Sequence, residues 1–193
     1  TFQAFRDLFS EQVLRPGDEV AVKHVTLMFT DLRASTALYG RIGDAKAYTL
    51  VRDHFAFLTR LVREHDGAIV KTIGDAIMAA FSSPADGVRA ALAIQRAVGE
   101  FNRAHGEALA IKLGLHGGPC IAVTLNQRLD YFGTTANLAA RLGNESGGED
   151  VVLSAPLAAD PEVRQVIAGI PATSEAAKLK GFDAPVAFLR LTP

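Results

Sequence analysis

The sequence has little that would tie it to a membrane, a nucleic acid or an oxidising compartment. It contains one cysteine, Cys120, so no intrachain disulfide can form, and this favours a reducing, cytoplasmic setting. Its 20 basic and 21 acidic residues give a net charge of −1, without the basic stripe typical of nucleic-acid-binding proteins. No apolar run reaches the roughly 18 residues of a membrane-spanning helix. The sequence therefore predicts no nucleic-acid partner and no membrane segment.

The 193 residues are enough for one domain with a substantial core. Residues 1–20 stand apart, because apolar side chains at helical spacing (Phe2, Phe5, Leu8 and Phe9) precede the breaker Pro16-Gly17-Asp18. We expect a short N-terminal helix and linker here, and a main domain over residues 21–193. The helix either caps the core or transmits a signal from an upstream regulatory domain.

The pattern along the chain predicts an α+β fold. Period-3.6 apolar patterns indicate helices at Asp44–Glu64, Pro84–Phe101 and Thr134–Leu142. Predicted strands are Val25–Phe29, two strands that flank Gly74-Asp75, Ile111–His116, Cys120–Leu125, Val151–Leu153, Ala176–Lys180 and Val186–Leu191. Ser83 is expected to cap the second helix. The first helix is expected to bury one apolar face: Ala47, Val51, Phe55, Leu58, Leu61 and Val62. This order is a ferredoxin-like βαββαβ core with a C-terminal strand and helix extension.

Acidic residues end two of these strands. The apolar stretch Ala68–Phe81 is interrupted by Lys71 and by the turn Gly74-Asp75, which is typical of a β-hairpin. Asp31 directly follows the strand Val25–Phe29 and Thr30. If the two strands are neighbours, Asp31 and Asp75 can share a divalent cation, because carboxylates and substrate phosphates are the usual ligands of Mg²⁺.

Three motifs resemble those of the class III nucleotidyl cyclases: FTDLRAST, KTIGDAIMAAF and, from Leu129 to Leu142, LDYFGTTANLAARL. The similarity runs from about His24 to Leu191. It implies the catalytic fold of that family and an adenylyl cyclase, which converts ATP to 3′,5′-cyclic AMP and pyrophosphate. Two Mg²⁺ or Mn²⁺ ions per active site, held by Asp31 and Asp75, would assist attack of the ribose 3′-hydroxyl on the α-phosphate.

The resemblance also assigns residues that bind the substrate. Backbone amides of the turn Leu32, Arg33, Ala34, Ser35 and Thr36 would cradle the phosphates. Relatives usually carry glycine where this chain has Ala34, so a positive φ there would strain the turn. Lys71 and Asp130 match the adenine-reading pair, a donor for N1 and an acceptor for the N6 amino group, whereas guanylyl cyclases usually carry Glu and Cys. Alternatively, the two form a salt bridge across an interface.

Further residues would serve catalysis. Asn137 and Arg141 lie four apart on one predicted helix, and the resemblance assigns them to orienting the ribose and to stabilising charge on the α-phosphoryl group. Lys180 resembles the lysine that contacts the terminal phosphates. The alternatives are a polar helix face and a surface lysine.

The resemblance implies a head-to-tail homodimer, because relatives build each of two active sites from the aspartates of one subunit and the remaining residues of the other. A second hypothesis is an inactive cyclase-homology module that dimerises or binds nucleotide. A GTP-using enzyme is disfavoured by Lys71 and Asp130. A diguanylate-type enzyme is disfavoured because Gly147-Gly148-Glu149-Asp150 lies late in the chain and lacks the terminal Phe of that signature.

Overall fold

The computed structural model describes residues 19–125 and 128–193, so the expected N-terminal helix lies outside the described residues. The strands are β1 Glu19–Leu32, β2 Ala68–Ile73, β3 Ala76–Phe81, β4 Ile111–Leu125, β5 Arg128–Phe132, β6 Val151–Ser154, β7 Ala172–Ala177 and β8 Val186–Leu191. The helices are α1 Ser35–Ile42, α2 Asp44–Glu64, α3 Pro84–His105, α4 Thr134–Glu145, α5 Ala155–Ala158 and α6 Pro161–Val166.

One sheet organises the described chain, with strand order β2-β3-β1-β4-β6-β8-β7 and with β5 paired to β4. Its first four strands have the expected ferredoxin-like order, and the extension adds β6, β8 and β7 beyond β4. The core strand β1 is antiparallel to both neighbours, pairing Phe29 with Met78 of β3 and Asp31 with Lys112 of β4. The predicted α+β fold is therefore confirmed.

The sheet buries apolar side chains on both faces. Because successive strand residues point to opposite sides, Met28 packs in the cluster under α2 and α3, whereas Leu27 packs in the cluster under α4. Helix α3 begins as expected, since the Ser83 side chain accepts a hydrogen bond from the Asp86 N–H. It ends at Gly106, whose φ of 65° suits glycine.

Helix α2 buries most of the expected stripe, including Ala47, Leu58, Leu61 and Val62. Its buried residues also include Leu50, His54 and Phe57, while Val51 and Phe55 are half-buried. The reason for this difference is His54, which is polar in sequence but 0% exposed in the fold. Counting it as polar hid the part of the buried face that His54 shares with Leu50 and Phe57.

Strand β4 is continuous, so the two strands predicted around Gly117-Gly118-Pro119 are one. The proline is tolerated because β1 has a register irregularity between Val22 and Val25, opposite Pro119. A glycine nearby serves close packing instead: a Cβ at Gly114 would lie 2.0 Å from the backbone nitrogen of Gly143 in α4. Helix α4 therefore rests directly on β4.

The closing hairpin also begins earlier than predicted, at Ala172, which leaves Lys180 outside both strands.

Gly114→Ala tests this contact. The added methyl group meets backbone rather than a flexible side chain, so we expect the free energy of unfolding to fall by about 3 kcal/mol or more. Gly99→Ala is the matched control, because Gly99 is exposed in the interior of α3 with its nearest neighbour 3.7 Å away. It should raise stability by up to about 1 kcal/mol. Equal urea midpoints for the two variants would contradict the packing described.

Candidate active site

The two acidic residues meet at one edge of the sheet. The hairpin β2-β3 closes with Ile73 paired to Ala76, so Gly74 and Asp75 form a two-residue turn. Gly74 has a φ of 63°, as the first position of such a turn requires. The pairing of Phe29 with Met78, continued by two residues, places Asp31 opposite Ala76 and beside Asp75.

The electrostatics show that the two carboxylates interact. Burial raises the pKa of Asp31 above its ordinary value of 3.8, and the negative charge of Asp75 raises it further. The positive charge of Lys112 and a hydrogen bond with the backbone of Leu32 oppose this rise only in part. The fold therefore holds two like charges close together, which costs free energy unless a cation joins them.

Tyr39 of α1 is a contact of this site that the sequence did not indicate. Its hydroxyl donates a hydrogen bond to Oδ2 of Asp75, with 3.1 Å between the oxygens. Burial, and then the charge of Asp75, raises the pKa of Tyr39 to about 12, so it remains a proton donor at neutral pH. Nothing in the spacing from Tyr39 to Asp75 predicts this contact, because it depends on how α1 lies against the hairpin.

His54 is a second unanticipated neighbour. Burial lowers the pKa of its imidazole to about 4, and the charge of Asp75 and a hydrogen bond with its backbone oppose this only in part. His54 is therefore a neutral side chain buried close to Asp75.

The expected phosphate turn divides into two parts. The amide of Arg33 donates to the carbonyl of Ala110 at 2.9 Å, and its side chain donates to the carbonyl of Gly147 at 3.2 Å. The first helical hydrogen bond of α1 runs from the Leu38 amide to the carbonyl of Ala34. The N-terminal amides of α1, on Ser35, Thr36 and Ala37, are the ones that precede this bond and suit an anion.

Ala34 does adopt the conformation that glycine would favour. Its φ is 55° and its ψ is 33°, in the left-handed region, at the N-cap of α1. A side chain there costs roughly 1–2 kcal/mol. The turn nevertheless keeps its shape, so the alanine strains it without abolishing it.

Lys71 and Asp130 meet within a single chain. Lys71 Nζ lies 2.6 Å from Oδ2 of Asp130, joining β2 to β5, and the Tyr131 amide donates to Oδ1 of the same carboxylate at 2.8 Å. The Asp130 side chain is 13% exposed and that of Lys71 39%, so the pair faces solvent mainly through the ammonium group. The salt bridge considered above exists, but not across an interface.

The remaining predicted residues stand apart from both pairs. Asn137 is exposed and Arg141 half-buried on α4, and Lys180 is exposed in the loop between β7 and β8. In the part of the chain that the structure describes, none of the three makes a side-chain hydrogen bond or ion pair. The monomer thus brings together Asp31 with Asp75 and Lys71 with Asp130, and leaves three side chains available.

The sequence that carries these residues matches a known family. The sequence profile of the adenylate and guanylate cyclase catalytic domain matches residues 19–159, which include both pairs and α4. The chain belongs to this cyclase family. The cyclase domain is 36% identical over 173 residues to the uncharacterized protein Rv2212 of Mycobacterium tuberculosis, a match covering 88% of the chain and 42% of the relative. It is 31% identical over 147 residues to human retinal guanylyl cyclase 1, covering 68% and 13%.

Solved structures agree on the cyclase fold. The adenylyl cyclase CyaB from P. aeruginosa superposes with a TM-score of 0.78 at 22% identity, covering 91% of this chain and 96% of that one. The chain spans less than half the length of the two curated relatives. The family is that of nucleotidyl cyclases, a class of lyases that is generally dependent on divalent metals.

The residues of the cyclase domain suit such a metal. Asp31 and Asp75 offer hard carboxylate oxygens, and their mutual repulsion is relieved by a bound cation. Within the described ranges, no three His, Cys, Asp or Glu side chains cluster as a metal site. Nor does any helix in the described part have the length and hydrophobicity to cross a membrane.

Asp31→Asn tests the cost of the buried charge. Because the folded-state pKa of Asp31 is raised, wild-type stability falls as pH rises through that pKa. In metal-free buffer the variant should be more stable than wild type near neutral pH, and the difference should shrink on acidification toward about pH 4. Urea unfolding measured across this pH range checks it. Asp183→Asn, at an exposed loop position, should show no such trend; a similar trend there would point to overall charge instead.

Proposed function

We propose that this domain is an adenylyl cyclase that converts ATP to 3′,5′-cyclic AMP and pyrophosphate. The observation that carries the choice of ATP is the ion pair of Lys71 with Asp130 at 2.6 Å. An ammonium group has three donors, so Lys71 can keep this contact and still donate to the adenine N1 acceptor. The Asp130 carboxylate has lone pairs left to accept from the N6 amino group. Guanine presents O6 and N1–H and requires the opposite polarity.

The reaction needs charge neutralisation and orientation. Divalent ions at Asp31 and Asp75 would acidify the ribose 3′-hydroxyl and offset the charge of the triphosphate. The amides of Ser35, Thr36 and Ala37 would bind phosphate oxygens at the N-terminus of α1. In this proposal Asn137 orients the ribose, Arg141 stabilises the negative charge that grows on the α-phosphoryl oxygens, and Lys180 contacts the terminal phosphates.

We further propose a head-to-tail homodimer with two shared sites. Lys71 and Asp130 are flanked on the same strand faces by Ile73 and Phe132, which are 48% and 52% exposed. Ile121, the cross-strand partner of Phe132, is 42% exposed. We call Lys71 and Asp130 the base-reading pair. Burying this apolar patch against a second copy would bring the base-reading pair of one subunit next to Asp31 and Asp75 of the other. A cytoplasmic setting and an upstream regulatory domain complete the proposal.

The first experiment is to incubate the purified domain at high concentration with Mn²⁺ and either ATP or GTP. Cyclic AMP from ATP, with little cyclic GMP from GTP, is the expected result. Lys71→Glu, which reverses the charge beside Asp130, should lower kcat/KM for ATP by about 10²-fold or more, because a site built to hydrogen-bond one base edge discriminates strongly against a mismatched one. Preferential cyclic GMP formation by wild type would refute the choice of adenine.

A mixing experiment tests the shared sites. Asp75→Ala and Arg141→Ala subunits should each be inactive alone. Equal mixing makes half of the dimers mixed, each with one intact site, so activity should recover to about a quarter of wild type. Mixtures of Asp75→Ala with Asp31→Ala are the control, since both changes affect the same half-site and no recovery is expected. Absence of recovery from proven mixed dimers would contradict the shared arrangement.

An inactive module is the second candidate function, favoured by the left-handed conformation of Ala34. The left-handed conformation costs alanine roughly 1–2 kcal/mol, and this strain would destabilise the turn that is proposed to bind phosphate. A folded dimer that binds ATP with Mn²⁺ but forms no cyclic product would support this alternative.

A further inference from the structure

The hydrogen bond of Tyr39 with Asp75 is the contact at this edge that the proposed reaction leaves without a role. Tyr39 is half-buried on α1, and its hydroxyl lies 3.1 Å from Oδ2 of Asp75. Asp75 belongs to a two-residue hairpin turn. Its side chain has considerable conformational freedom unless a neighbouring residue fixes it. In the described chain, Tyr39 is the side chain that hydrogen-bonds to this carboxylate.

Helix α1 itself is weakly anchored. It has no fully buried residue, and its N-cap is the left-handed Ala34, which makes no capping hydrogen bond through its side chain. Leu38 and Ile42 pack partly against the core, and Arg41 forms an exposed ion pair with Glu107. Because exposed ion pairs contribute little, the Arg41 pair anchors α1 only weakly. The bond from Tyr39 ties α1 to Asp75 in the turn of the β2-β3 hairpin.

We infer that Tyr39 is a positioning residue for the divalent metal: its hydroxyl fixes the carboxylate of Asp75 so that the other oxygen faces the cation shared with Asp31. The inference rests on the proposed metal-binding role of the two aspartates. Metal-ligating carboxylates are commonly held by such hydrogen bonds, and loss of one typically lowers metal affinity by about 10–100-fold. The same bond would fix α1, whose first amides are proposed to bind the phosphates, relative to the metal.

The test is Tyr39→Phe, which removes the hydroxyl and keeps the ring. Mn²⁺ binding is measured by electron paramagnetic resonance, with 3′-deoxy-ATP present so that no cyclisation occurs. We expect the dissociation constant of Mn²⁺ to rise by about 10-fold, with thermal unfolding close to that of wild type. Tyr48→Phe is the matched control, because Tyr48 is 73% exposed on the neighbouring helix; its Mn²⁺ affinity should not change.

A second pair of variants shows whether Tyr39 acts through Asp75. Asp75→Asn should weaken Mn²⁺ binding strongly, and adding Tyr39→Phe to it should have little further effect. A purely structural role for Tyr39 would instead lower thermal stability in both backgrounds and leave Mn²⁺ affinity unchanged.

The outcomes separate this inference from the proposed function. Unchanged Mn²⁺ affinity in Tyr39→Phe, with normal binding in wild type, overturns the positioning role and leaves the metal assignment standing. Tighter binding in Tyr39→Phe also overturns it, because the hydroxyl would then compete with the cation for Asp75. If wild type binds no Mn²⁺ with nucleotide present, the metal assignment fails, and the inference fails with it.

Discussion

The repulsion between Asp31 and Asp75 is the constraint on which the arrangement of this edge depends. Antiparallel pairing of β1 with β3 brings the two carboxylates together. Partial burial, and then the negative charge of Asp75, raises the pKa of Asp31. A fold selected for stability alone would place a neutral residue at one of these positions. The stored electrostatic cost favours binding of a divalent cation, because the cation relieves it.

Neighbouring residues contact or lie beside both aspartates, and close backbone packing supports the sheet beneath them. Tyr39 holds Asp75, Lys112 lies beside Asp31, and the direct contact of Gly114 with Gly143 seats α4 against β4. The sheet therefore provides a rigid base for the site. Some of the parts that contact substrate in the proposed reaction lie on shorter or more exposed segments: α1, the hairpin tip and the loop that carries Lys180.

The base-reading pair shows how one geometry serves two purposes. The ion pair of Lys71 with Asp130 ties β2 to β5 in the free protein. The same two groups present a donor and an acceptor to a purine edge. A partly exposed ion pair contributes little to stability, so a change at Lys71 is expected to affect nucleotide choice far more than folding.

The sequence by itself determined the α+β class, the hairpin with Asp75 at its tip and the cap at Ser83, because local periodicity and turn chemistry specify each of them. The resemblance of three motifs determined the family. Tertiary structure decided the rest: the burial of His54, the continuity of β4, the meeting of Lys71 with Asp130 in one chain and the bond from Tyr39. These depend on strand register and helix placement, which bring together residues 36 and 59 positions apart, and no local pattern encodes such contacts.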